Sequence, residues 1–160
     1  MTAKILDFET ALRKAQSYCA YQERCEHELL LKCREWGLKP SDNAKLIASL
    51  YENDFLNEER FAVAYARGKF RIKKWGKIRI RQELLFRQIN NEAIKKGLKV
   101  IDEEGNYAEV LLKLLQNKLP DYEGDSQKIQ KLAQFAIGRG FEPELVWQKI
   151  NTLTGKSNQL

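Results

Sequence analysis

Apolar residues recur every three or four positions along most of the chain, which is the spacing that places side chains on one face of an α-helix. One such stripe near the start consists of Phe8, Ala11, Leu12, Ala15 and Cys19. Only three prolines and nine glycines interrupt 160 residues, so the helical segments are long. The pattern predicts an all-α fold. Residues 69–81 form the one stretch whose alternation of charged and apolar residues is typical of a β-strand instead.

Three predicted helix ends share one pattern. Gly37 precedes the apolar Leu38, and Gly140 precedes Phe141. Between them, Gln88 takes the place of the glycine and precedes Ile89. The three apolar residues follow one another at nearly constant intervals, which indicates repeated supersecondary units.

Each period has room for a further helix before the repeated pair, at about residues 7–22, 57–73 and 106–118. The sequence therefore predicts three tandem three-helix modules, at residues 1–54, 55–104 and 105–155, with residues 156–160 as a frayed tail. Three short modules cannot share one large hydrophobic core, so we expect an elongated, curved helical array.

Charge is distributed unevenly along this array. The chain has 28 Lys and Arg against 22 Asp and Glu, a net charge of +6. The segment RGKFRIKKWGKIRIR at residues 67–81 contributes eight basic residues and no acid, so this net charge is concentrated there. Such a cluster can be a solvated surface, but its local density favours a binding surface for phosphates or an acidic partner.

The local structure of this basic segment has two interpretations. Its alternation favours a β-hairpin with Trp75-Gly76 at the tip. The repeat period instead predicts one helix up to about residue 73 and another at residues 77–87, with Trp75-Gly76 as the break. We favour the helices, because they also explain the apolar spacing upstream of the segment.

The residues predicted to form this binding surface come from this segment and the helix after it. They are Arg67, Lys69, Arg71, Lys73, Lys74, Trp75, Lys77, Arg79, Arg81 and Arg87. Trp75 is included because aromatic rings beside cations stack on bases, although packing at the break would explain it equally well. Lys128, Lys131 and Arg139 are predicted to form a second, weaker basic surface.

Enzymatic function is not indicated. The sequence contains no GxxxxGK phosphate loop, no GxSxG nucleophile motif and no HExxH zinc motif. One histidine and three cysteines without CxxC spacing predict neither a metal site nor a disulfide framework, and no cofactor is expected. No apolar run approaches the length of a membrane span and the first residues do not resemble a signal peptide, so we expect a cytoplasmic protein.

Three features in order resemble one known family. Residues 56–62 read Leu-Asn-Glu-Glu-Arg-Phe-Ala, the basic segment contains Gly76, and the next helix ends in Arg-Gln-Ile. This arrangement resembles RecX, the bacterial regulator of the RecA recombinase. Asn57 and Glu58 replace the aspartates usual in that motif, and Gln88 replaces a glycine. The motif residues, expected to be mainly structural, are Asn57, Glu58, Arg60, Phe61 and Ala62.

The resemblance implies the triplicated three-helix fold and a non-catalytic role. RecX proteins bind RecA filaments on single-stranded DNA and limit filament extension, ATP hydrolysis and strand exchange, in recombination, DNA repair and the SOS response. By this resemblance the partners are the RecA filament and single-stranded DNA, and the chain is expected to be a monomer. One alternative stays open: a free-standing basic helical protein that binds DNA or RNA without acting on RecA.

Overall fold

The computed structural model describes residues 6–155. Within this range the chain forms nine α-helices: α1 (Phe8–Tyr21), α2 (Glu26–Glu35), α3 (Pro40–Glu52), α4 (Glu58–Arg71), α5 (Lys77–Phe86), α6 (Asn91–Glu103), α7 (Tyr107–Lys118), α8 (Lys128–Gly138) and α9 (Pro143–Leu153). A short 3₁₀ helix at Leu119–Tyr122 follows α7. The predicted tail at residues 156–160 lies outside the described residues.

The basic segment is helical. α4 ends at Arg71, α5 begins at Lys77, and no strand occurs anywhere in residues 6–155. The hairpin interpretation is therefore wrong. The alternation that suggested it does not mark one buried face, since Phe70 and Ile80 are buried whereas Ile72 is 77% exposed.

The three repeated helix ends have the same backbone structure. The amides of Leu38, Ile89 and Phe141 donate to the carbonyl five residues earlier, at 3.1, 3.1 and 3.3 Å. In each case the preceding residue has a positive φ: 73° at Gly37, 60° at Gln88 and 98° at Gly140. This is the Schellman arrangement that closes helix C-termini. The sequence repeat is thus a structural repeat.

The helices divide into three groups of three, each around its own core. Leu29, Leu46 and Leu50 are central to the core of α1–α3. The cores of α4–α6 and α7–α9 centre on Phe70 and Leu132, respectively. Extensive helix–helix contacts occur within these groups. The all-α fold and the array of three-helix modules are confirmed, whereas the module boundaries predicted from sequence stay predictions.

The first and second helix groups are joined by polar and apolar contacts. Arg60 of α4 donates to Glu23 at 2.7 Å and pairs with Asp54 at 3.0 Å. Cys25 precedes α2 but is buried in the core of α4–α6. These contacts place the segment between α1 and α2 against α4.

The second and third groups meet beside the basic segment. The amides of Gly76 and Ile78 donate to the carbonyls of Arg139 and Gly140, at 2.8 and 3.0 Å. A Cβ atom on Gly76 would lie 2.3 Å from the backbone of Gly140, so this approach requires glycine. The α4–α5 connection is therefore held against the end of α8.

Tyr107, the first residue of α7, completes this junction. Its ring packs between Phe70 and Phe141, with centroids 5.6 and 5.2 Å away. Its hydroxyl accepts from the Lys77 amide at 3.0 Å and donates to Glu142 at 2.9 Å. Burial raises the pKa of Tyr107, so the phenol stays protonated and keeps this donor.

None of the helices in residues 6–155 is long and apolar enough to cross a membrane.

Candidate nucleic-acid interface

The predicted contact residues surround the break between α4 and α5. The last turn of α4 carries Lys69 and Arg71, and the first turn of α5 carries Lys77 and Arg79. Between them, Lys74 has a φ of 57°, and its ammonium donates to the carbonyl of Arg71 at 2.6 Å. The left-handed residue ends α4 and turns the chain toward Gly76.

Five of the side chains here form one group, which we call the aromatic–basic cluster: Tyr65, Lys69, Trp75, Arg79 and Arg87. The Arg79 guanidinium lies 4.0 Å from the centroid of the Trp75 ring, and the Lys69 ammonium lies 4.9 Å from it. Lys69 also lies 5.4 Å from the Tyr65 ring, and Arg87 lies 4.9 Å from that ring. Rings and cations thus hold one another in place.

Trp75 therefore differs from a freely exposed stacking platform. It is half-buried, and it contacts Tyr65 edge-on at 6.5 Å between centroids. Because Arg79 already lies over its ring, Trp75 preorganises this guanidinium. A planar guanidinium supported in this way is suited to a phosphate or a base.

Other predicted residues have carboxylate partners. Arg71 pairs with Glu104 at 2.6 Å and Lys77 with Asp102 at 2.7 Å; Asp102 lies in the last turn of α6, and Glu104 directly follows that helix. Arg87 pairs with Glu83 at 3.0 Å, one helical turn earlier. Part of the positive charge is therefore neutralised within the fold.

The remaining cations have no carboxylate partner among residues 6–155. They are Arg67, Lys69, Lys73, Lys74, Arg79 and Arg81. Of these, Arg67, Lys73, Lys74 and Arg81 are exposed. Six uncompensated cations around one helix break form the most positively charged part of the described chain.

The predicted second basic surface is dispersed. Lys128 begins α8 and Arg139 follows its end, so they are about 16 Å apart along the helix axis at 1.5 Å per residue. Lys131 pairs with Asp125. Arg139 donates to the carbonyl of Lys73 at 2.7 Å, so it belongs to the junction beside the basic segment.

The motif residues at the start of α4 make contacts within the fold. The Asn57 side chain accepts from the Arg60 amide at 2.9 Å and caps α4. Glu58 accepts from the side chain of Asn90, which itself caps α6. The ion pairs of Arg60 are made to Glu23 and Asp54.

The other two motif residues are core residues. Phe61 and Ala62 are both buried in the core of α4–α6. Ala62 packs against α6 where Gly97 leaves space: a Cβ on that glycine would lie 2.8 Å from the Ala62 carbonyl oxygen. This contact sets the close approach of the two helices.

Reasoning from the sequence missed one residue of the site and assigned another to a different surface. Tyr65 is not among the predicted contact residues, but it is half-buried and contacts two cations. Its four-residue spacing from Lys69 was an available signal, because such pairs adjoin on a helix. Arg139 was predicted for the second basic surface, and its contact to Lys73 was not predictable because it depends on how the helix groups pack.

The three cysteines are buried and unpaired. Burial raises the pKa of Cys19 and Cys25 to about 11, which keeps both thiols neutral and unreactive at physiological pH. No group of three or more His, Cys, Asp or Glu within residues 6–155 is placed to hold a metal ion.

The fold and this surface define a class of protein: an all-α array of three-helix modules with an uncompensated basic surface in its middle group. Models of the second and third three-helix domains of RecX match residues 57–98 and 106–150. The chain belongs to the RecX family.

Similar proteins carry the same family name. A regulatory protein RecX of Enterococcus faecalis is 25% identical over 98% of this chain, and one of Clostridium acetobutylicum is 28% identical over 92% of it. The chain spans 59% of the first protein and 71% of the second.

Solved structures agree on the fold. The crystal structure of RecX from Lactobacillus salivarius superposes with a TM-score of 0.75 at 21% identity, and covers 92% of this chain and 96% of its own. A second crystal structure of a regulatory protein RecX gives a TM-score of 0.79 at 22% identity, over 91% and 73% of the two chains.

Proposed function

We propose that this protein is a non-catalytic, cytoplasmic and monomeric modulator of RecA. In this role it binds the RecA filament on single-stranded DNA and limits filament extension, ATP hydrolysis and strand exchange during recombination and repair. Its relatives are named regulatory protein RecX, and the resemblance of the motifs to that family implies RecA as the regulated protein.

The observation that carries this proposal is the set of six cations around the α4–α5 break that have no carboxylate partner among the described residues. A surface of this charge attracts the phosphates of single-stranded DNA or an acidic surface of the filament. Its position also matters, because it lies in the middle helix group, which contacts the third group beside the α4–α5 break and the first group at Arg60. A chain that contacts DNA at its middle has a helix group on either side for neighbouring RecA protomers.

The experiment is a titration of RecA's single-strand-dependent ATP hydrolysis with this protein, at DNA in excess. We expect inhibition well below one copy per RecA protomer, because a regulator of the filament acts at few sites. The test variant reverses three exposed cations of the surface: Arg67→Glu, Lys73→Glu and Arg81→Glu. Inhibition should weaken at least tenfold in this variant.

The matched control reverses three exposed cations elsewhere: Lys14→Glu, Lys39→Glu and Lys113→Glu. It has the same net charge as the test variant, so equal losses in both would contradict a localised surface. Inhibition that appears only once the protein saturates the DNA would indicate simple competition. In that case the chain is a plain nucleic-acid binder and the proposal is refuted.

A further inference from the structure

A cleft of about 400 Å³ lies between α4 and the segment that joins α1 to α2. This volume is at the small end of the range of about 300–1,000 Å³ typical of ligand clefts. On the α4 side it is lined by Phe61, Tyr65, Gly68, Lys69 and Lys73, and Arg87, after α5, also lines it. Lys69 and Lys73 also belong to the basic surface, so the cleft opens directly beside it.

Gly68 leaves this cleft open. Glycine is an unfavourable residue within a helix, and a Cβ added here would meet no atom within 4 Å. Helix packing therefore does not explain the glycine, in contrast to Gly97, where a Cβ would lie 2.8 Å from the backbone of α4. The missing side chain instead contributes empty space to the cleft.

The charge that faces the cleft is positive. The two acids on the opposite wall have partners, Glu23 with Arg60 at 2.7 Å and Glu28 with Arg24 at 3.7 Å. Lys69 and Lys73 have no carboxylate partner among residues 6–155. An anionic group is therefore the ligand that these walls favour.

Two polar atoms of the cleft walls lack hydrogen bonds. Oε2 of Glu23 is an acceptor and Nε of Arg87 is a donor, and both are shielded from solvent without a partner. A ligand in the cleft would have to displace the side chains that now shield these two atoms. That ligand needs both a donor and an acceptor, which the edge of a nucleobase offers and a phosphate alone does not.

We propose that the cleft binds one unstacked nucleotide of a single-stranded nucleic acid. Its base lies against Tyr65 above Gly68, and its phosphate lies at Lys69 and Lys73. Half-apolar walls, cations at the mouth and an unpaired donor and acceptor are the features of such a site. This assignment rests on the proposed function, and it names the part of the surface that reads a base.

The test is the affinity of Gly68→Leu for a fluorescein-labelled oligo-dT, measured by anisotropy. The leucine side chain fills the cleft. Because leucine has a higher helix propensity than glycine, the thermal midpoint of unfolding should not fall. Affinity should weaken at least fivefold. Ala44→Leu is the control, because it adds a leucine to the exposed face of α3, and no residue of α3 lines the cleft. Its affinity should equal that of the unaltered protein.

An abasic oligonucleotide of the same length separates base from phosphate. The unaltered protein should bind the abasic oligonucleotide more weakly than oligo-dT. Gly68→Leu should weaken binding of the abasic oligonucleotide less than twofold, because this probe lacks the base that the leucine excludes. Equal losses on both probes, or an unchanged affinity of Gly68→Leu for oligo-dT, would overturn the assignment.

RecA inhibition measured with the same proteins keeps the two proposals apart. If unaltered protein binds oligo-dT through the cleft but does not inhibit RecA, the proposed function fails and the nucleotide site stands. If Gly68→Leu binds oligo-dT normally but no longer inhibits RecA, the cleft receives protein, which overturns the nucleotide site alone.

Discussion

At the scale of single residues, Gln88 occupies a position that the other two helix groups give to glycine. Its φ is 60°, next to 73° at Gly37 and 98° at Gly140. A residue with a Cβ atom pays about 1 kcal/mol or more for this left-handed conformation, which glycine adopts freely. The hydrogen bonds of the motif are nevertheless formed, since the Ile89 amide donates to the Leu84 carbonyl at 3.1 Å. The fold therefore tolerates the strain at Gln88.

Gln88→Gly should raise the free energy of unfolding by about 0.5–1 kcal/mol, because relief of the strain exceeds the added freedom of the unfolded chain. Urea denaturation followed by circular dichroism measures this change. Gln82→Gly is the control, since Gln82 is exposed within α5 and the same substitution there should cost about 1 kcal/mol. A loss of stability in both variants would contradict the strain at Gln88.

At the scale of helices, two sequence patterns predicted different secondary structures for residues 69–81. The local alternation pointed to strands, and the repeat of Gly37, Gln88 and Gly140 pointed to helices. The repeat predicted the structure correctly because it occurs once in each of the three helix groups, whereas the alternation is confined to one short segment. The alternation does not correspond to one buried face, because Phe70 and Ile80 are buried whereas Ile72 lies exposed beside the helix break.

The junction around Tyr107 could not be predicted, because its contacts join residues that are distant in sequence. Tyr107→Phe keeps the ring between Phe70 and Phe141 but removes the acceptor for the Lys77 amide. A partly buried donor left unpaired costs about 1–2 kcal/mol, so unfolding should become easier by that amount. Thermal and urea denaturation check this expectation.

The control for this change is Tyr122→Phe. Tyr122 packs against the core of α7–α9, and its hydroxyl has no hydrogen-bond partner among residues 6–155. Its loss should leave the free energy of unfolding within about 0.5 kcal/mol of the original value. If the two variants lose stability equally, the Tyr107 hydroxyl does not hold the junction.

At the scale of the whole molecule, the position of the basic surface followed from composition alone, because residues 67–81 contain no acid. The sequence did not predict which of these cations have carboxylate partners. Glu104 and Asp102 neutralise Arg71 and Lys77 only because α6 ends beside the start of α5. Such pairings depend on packing, and the sequence spacing carries no trace of them. Charge placement was thus predictable, and charge compensation was not.

The six cations without a carboxylate partner among residues 6–155 lead to a quantitative expectation for the salt dependence of DNA binding. If about five of them contact single-strand phosphates, the logarithm of the DNA affinity should fall with the logarithm of salt concentration at a slope near −3.5, from about −0.7 per phosphate. Removing three of these cations in the variant Arg67→Glu, Lys73→Glu, Arg81→Glu should reduce the slope to about −1.4. Anisotropy of labelled oligo-dT over a salt series gives both slopes.

The control variant Lys14→Glu, Lys39→Glu, Lys113→Glu tests whether position or net charge sets this slope. Phosphates are bound one by one at contact distance, whereas net charge acts through a field that salt screens beyond about 10 Å. The control should therefore keep a slope near −3.5, with at most a modest change in affinity. Equal slopes for the two variants would mean that the overall charge of the protein attracts DNA. That result would contradict a binding site at the α4–α5 break.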